Sequence, residues 1–72
     1  MGFIVQIDAP ELLPELIHHL LRGDCVAHAL DDRRCQVVHV DARDTDEARE
    51  EIGFFLRCFR RNHPHVDVSV TE

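Results

Sequence analysis

The sequence predicts an α+β sandwich: a four-stranded antiparallel sheet with two helices on one face, in the order β-α-β-β-α-β. Three observations predict it. Residues 8–23 and 44–62 carry apolar side chains at three- and four-residue spacing, the period of a helix with one buried stripe. Residues 66–70 alternate strictly, the period of a half-buried strand, and residues 3–7 form a short, apolar, partly β-branched run. Two runs of equal length, 25–30 and 35–40, flank the charged turn DDRR, which is the outline of a hairpin.

The elements follow in order. FIVQI, residues 3–7, is short and partly β-branched, and places Phe3, Val5 and Ile7 on one face. In DAPELLPELIHHLLRG, Asp8 is the expected cap, Pro10 and Pro14 belong near a helix start, and Gly23 stops the helix. Leu12, Leu13, Leu16, Ile17, Leu20 and Leu21 form its broad apolar stripe. In the second helix Asp44 and Glu47 have capping-box spacing, and Arg57, Arg60 and Arg61 in the last turns suit the helix dipole. Ala48, Ile52, Phe55, Leu56 and Phe59 form its stripe, and Pro64 ends the element. VDVSV turns Val66, Val68 and Val70 inward. Two right-handed crossovers then put both helices on one sheet face, giving a ferredoxin-like sandwich with residues 1–72 as a single domain.

Composition narrows the functional classes. A core built from 72 residues is small, so self-association or a partner is the expected source of extra stability. Three cysteines make an odd number with no disulfide framework, which fits a reducing, cytoplasmic setting. MGFIVQID does not read as a signal peptide, and no apolar run is long enough to span a bilayer. A net charge of −6 argues against nucleic acid as a partner. All eight basic residues are Arg, which suggests a GC-rich bacterial coding sequence.

The hairpin holds the central question. If Leu30 pairs with Cys35 across DDRR, one face carries Val26, His28, Leu30, Cys35, Val37 and His39, and the other carries Cys25, Ala27, Ala29, Gln36, Val38 and Val40. The second, smaller set fits beneath the helices. The first then lies on the open face with Ile4, too apolar for water. A second copy of the chain or a partner protein would cover it through Ile4, Val26, His28, Leu30, Val37 and His39. Each such side chain contributes roughly 1.5–3 kcal/mol on burial, before the cost of association.

The same face offers an alternative. His28, Cys35 and His39 would be same-face neighbours about 7–8 Å apart or closer, a donor set that zinc or copper accepts. No fourth ligand and no C-x-x-C accompany them, and a one-residue slip of register would scatter them. Other chemistry is thin. His18 and His19 lie mid-helix, and His63 and His65 flank Pro64 in a turn, all expected to be solvated. Cys58 sits on a helix flank, near Arg57 and Arg61. No activated nucleophile or oxyanion site emerges, and no cofactor is expected. RCFRR reads as dipole compensation, and the aromatics that an RNA-binding sheet needs are missing from the central strands.

VQIDAPELLPELIHHLLRGDCVAHAL resembles the start of an ACT domain, a small regulatory module that binds amino acids. Asp8, Pro10, Leu12, Leu13 and Gly23 match the family's outline of strand, Asp-x-Pro-Gly-x-Leu, helix and Gly. The resemblance implies a ligand pocket at Asp8, Pro10 and Glu11, and pairing of domains side by side through strands and helices. Glu11 stands where the family has Gly, which puts a side chain and a negative charge at the position where backbone N–H groups would meet a ligand carboxylate. The expectation is therefore a non-catalytic, ACT-like regulatory or interaction domain. It would form a homo-oligomer or dock on a partner protein, and could hold a small molecule at the interface.

Overall fold

The computed structural model describes residues 2–71. Strand β1 spans Gly2–Ile7, α1 Leu13–Leu21, β2 Cys25–Ala29, β3 Arg34–His39, α2 Thr45–Asn62 and β4 Val68–Thr71. The four strands form one sheet in the order β2-β3-β1-β4, with every neighbouring pair antiparallel. That is the strand order of a ferredoxin-like sandwich. Phe3, Val5 and Ile7 on β1, Cys35 and Val37 on β3, Leu16 and Leu20 on α1, and Ile52 on α2 are the buried centre of the core. α1 packs chiefly on β2, and α2 on β4.

The first helix starts twice because it has two prolines. Pro10 opens a 3-10 turn, Pro10–Leu12, and Pro14 falls in the first turn of α1, where its missing N–H has no intrahelical partner to lose. Asp8 does not cap this helix. Its carboxylate accepts from the Asp67 N–H at 3.0 Å, and its own N–H donates to the Asp67 carbonyl at 3.2 Å. The pair ties the end of β1 to the approach of β4.

Gly23 is required by a close approach. The ring of Phe55 lies where a Cβ would stand, with Cζ 2.6 Å away. The left-handed backbone that reverses the chain belongs to the next residue, Asp24, at φ 62°. In α2, the Asp44 carboxylate accepts from the Glu47 N–H at 2.8 Å, as its capping position predicts. Glu47 does not return the bond. Its carboxylate takes Arg43 Nε at 3.0 Å.

The hairpin register differs from the sequence expectation by one residue. Ala29 opposes Cys35, Ala27 opposes Val37, and Cys25 opposes His39. The cause is in the turn. Asp31 accepts from the Arg33 N–H at 2.9 Å and from Arg34 Nε at 2.7 Å, which closes a three-residue loop and draws Arg34 into the strand. Leu30 N–H donates to the Arg34 carbonyl at 2.8 Å. An odd loop turns β3 over. The alternative would have put the Gln36 amide under the helices without a partner, which is costly. β2 keeps its expected orientation. On β3, Cys35, Val37 and His39 face the helices, and Val37 and His39, expected on the open face, are 0% and 6% exposed.

Candidate functional site

Three cross-strand rows make the open face of the sheet. Val26 lies beside Val38, which lies beside Gly2. The next row reads His28, Gln36, Ile4 and Thr71, and the next Leu30, Arg34, Gln6 and Ser69. Val40 continues the face past the end of β3, where its N–H donates to the Asp24 carbonyl at 3.0 Å. The row holding Ile4 is largely polar. The apolar part of the face is therefore concentrated on the β2–β3 half.

Among the described residues six large apolar side chains are exposed: Leu21, Val26, Leu30, Val38, Val40 and Phe54. All but Phe54 border β2, which is a free edge of the sheet. Val26 and Leu30 belong to its strand line, at 53% and 45% exposure, and Val38 and Val40 flank it. Leu21, 50% exposed, comes from above. On α1 the side toward α2 is marked by His19, which bonds the Phe55 carbonyl, and by Glu15, which meets His63. Leu13, Leu16 and Leu20 face the sheet. At 100° per residue, Ile17 and Leu21 fall on the remaining flank, over the β2 edge.

The edge itself is unguarded. CVAHA contains no proline and no charged side chain, the usual devices that keep edge strands apart. Leu30–Arg34 and Asp24–Val40 are hydrogen-bonded pairs, so by alternation Val26 and His28 also direct their backbone groups at β3. Cys25, Ala27 and Ala29 then direct theirs outward. Among the described residues no strand contains Asp or Glu, although the chain has 14 of them. The sheet is thus a carboxylate-free surface on an acidic protein.

Other groups expected to carry chemistry are separated or engaged. His28 stands on the open face, whereas Cys35 and His39 lie beneath the helices, so the expected metal trio is not on one face. Among the described residues no cluster of three or more His, Cys, Asp or Glu side chains is arranged to hold a metal ion. The new register sets Cys25 opposite His39, with Glu51 of α2 against the same ring. His39 Nδ1 accepts from the Asp41 N–H at 3.3 Å, which leaves the proton on Nε2, facing the Glu51 carboxylate. That contact lies off hydrogen-bond geometry, and no other acceptor reaches Nε2. Burial, with the carboxylates of Glu51 and Asp24 adding to it, pushes the Cys25 thiol up to about 11, and burial alone does the same to Cys35. Neither is a thiolate nucleophile near neutral pH.

Pro10 and Glu11 lie together on the 3-10 turn, but the Asp8 carboxylate is already used by Asp67. The shallow hollow beside Asp8 is lined by Gln6, Asp67, Val68 and Ser69, and its two carboxylates disfavour an anionic ligand. His19 and His63, expected in water, are half-buried against Phe59, with ring centroids 5.7 and 4.5 Å from it. The Asp31 carboxyl is held below its usual range, first by the Arg33 N–H and then by the Arg34 guanidinium. Among the described residues no helix is long and apolar enough to cross a membrane.

Leu21 is the exposed apolar residue beside this edge that sequence reasoning misses. It was absorbed into the α1 stripe, yet six apolar residues are more than one buried face needs, and the surplus marks the exposed flank. No family model, curated protein or solved structure matches the chain.

Proposed function

We propose that the chain is a non-catalytic interaction domain whose β2 side pairs with the β2 side of a second copy, joining two sheets into one. The observation that carries this reading is the gathering of Leu21, Val26, Leu30, Val38 and Val40 around an unguarded sheet edge. Antiparallel self-pairing centred on Ala27 uses the outward backbone groups of Cys25, Ala27 and Ala29 and forms about six hydrogen bonds. It sets Val26 across from the partner's His28 and packs Leu21 and Ile17 against their symmetry mates. It also brings Arg22, at the end of α1, toward the second copy's Asp31 and Asp32 in the hairpin turn. The absence of carboxylates from the strands lets two acidic chains approach here.

The corrected β3 register removes Val37 and His39 from the contact and leaves Val26, His28 and Leu30 in it. Side-by-side pairing is also what the ACT-like outline of residues 5–30 implies. A regulatory role in this reading consists of presenting a dimer to a larger assembly.

Sedimentation at micromolar concentration tests the proposal. The wild-type chain sediments as a dimer or larger species, and Leu21→Glu with Val26→Glu shifts it toward monomer while circular dichroism stays native. Both sites are exposed, so the substitutions leave the core intact. A wild-type monomer, or association that the two substitutions do not weaken, contradicts the proposal.

A further inference from the structure

One exposed apolar side chain has no place in the β2 surface. Phe54 is 54% exposed at the middle of α2, on the outer surface of the helix. A surface hollow lies around it, lined in part by Glu50, Gly53 and Arg57. Helical spacing places Asp46, Glu50, Phe54, Arg57 and Arg61 on a single outward stripe, and all five are exposed. Their signs divide at the helix centre, acidic before Gly53–Phe54 and basic after it. Among the described residues Glu50, Arg57 and Arg61 make no ion pair within the chain.

This stripe is complementary to itself. Because α2 spans Thr45–Asn62, its midpoint falls between Gly53 and Phe54. A second α2 laid antiparallel across that midpoint sets Glu50 opposite Arg57, Asp46 opposite Arg61, and Phe54 opposite Gly53. Both charge pairs occur twice by symmetry. Gly53 has space above it, since a Cβ there would meet only Arg57 Nη1 at 3.9 Å, so the Phe54 ring of the other copy can seat against the helix backbone.

We infer that the outer face of α2 is a second self-association surface, with a second copy of this chain as its occupant. It stands apart from the β2 edge, and neither surface needs the other. An 18-residue helix is about 27 Å long, and a strip roughly 10 Å wide gives a footprint of roughly 270 Å² per copy. The contact is therefore of the weak class, micromolar to millimolar, and adds to an assembly rather than building it alone. Two distinct twofold contacts on one small chain allow species larger than a dimer.

Charge reversal tests the inference. Glu50→Arg and Arg57→Glu each place like charges opposite one another, and the pair of substitutions together restores opposite signs across the twofold axis. Equilibrium sedimentation is run on all three variants in the full chain. The same set is repeated on Leu21→Glu, Val26→Glu, which removes the β2 contact and isolates this one. Each single reversal weakens the association of that background about tenfold or more. The double reversal returns it to near the starting value, and salt weakens the starting association.

Unchanged association in both single variants, a double reversal no tighter than the singles, or no association of the β2-deficient chain up to millimolar concentration overturns the inference. Because the β2 contact is removed in one arm, failure of either surface is read independently of the other.

Discussion

Gly23→Ala sets a steric effect against the usual benefit of removing a glycine, and the structure decides the sign. Gly23 has no positive φ, so its backbone accepts alanine. At such a site the substitution normally stabilises by about 0.4–1 kcal/mol, through the unfolded chain. Here the added Cβ lies 2.6, 2.7 and 2.9 Å from three atoms of the Phe55 ring, well inside contact distance. The ring cannot swing aside freely. His39 is stacked with it, at 6.4 Å between centroids and 12° between planes, and His19 meets it edge-on at 6.4 Å. Overpacking of this kind costs about 1–3 kcal/mol, which outweighs the backbone gain. In a domain of this size each kcal/mol lowers the Tm by about 4–8 °C. Urea denaturation measures the difference. Phe55→Leu in the same chain relieves the clash, so the two substitutions couple favourably in a double-mutant cycle. Gly53→Ala is the control: its Cβ meets nothing closer than 3.9 Å in mid-helix, and the substitution stabilises by about 0.5–1 kcal/mol. A Gly23→Ala chain as stable as the wild type would refute the packing argument for the α1–β2 corner.

Two further outcomes follow from the buried polar groups. The Glu51 carboxylate faces the buried His39 Nε2–H without hydrogen-bond geometry, so Glu51→Ala costs under about 1 kcal/mol, less than the roughly 1–3 kcal/mol of losing a bonded partner; a larger fall in the urea midpoint would contradict this reading of the contact. Stability falls as pH rises from 9 toward 11, because the Cys25 and Cys35 thiols ionise near 9 when unfolded and only near 11 when folded. Their contribution is complete below pH 9 and is lost through that window. The chain has neither Lys nor Tyr to titrate there, so the decline shrinks in Cys25→Ala and Cys35→Ala, and a flat profile contradicts the burial of these thiols.

Most of the fold was legible because its apolar periods are unambiguous. Leu16 and Leu20, Ile52 and Phe59, and Val5 and Ile7 all lie where spacing alone puts them. The hairpin was not, and the reason is local. DDRR offers an even four-residue loop by inspection, but the Asp31 side chain can close a loop of three by bonding the Arg33 N–H. One residue of loop length reverses every side chain of β3, so Val37 and His39 went to the wrong face and the metal trio dissolved with them. Pattern could have warned of it, since the four-residue loop turns the Gln36 amide toward the apolar core. Asp8 misled for a different reason: its partner, Asp67, is 59 residues away, beyond the reach of a capping rule. The exposed apolar face was half legible. Val26, His28 and Leu30 followed from β2, whereas Leu21 needed the position of α2 to show which flank of α1 stays open.

The β2 edge pairing is tested most directly at a single backbone amide. Ala27 N–H points away from β3 and has no partner among the described residues. Hydrogen exchange of this amide is followed over a range of protein concentrations, with Val26 N–H, bonded within the sheet, as the internal reference. The account predicts protection of Ala27 that grows with concentration and vanishes in Leu21→Glu, Val26→Glu. An Ala27 amide that exchanges at the unprotected rate at every concentration, beside a protected Val26, would contradict it.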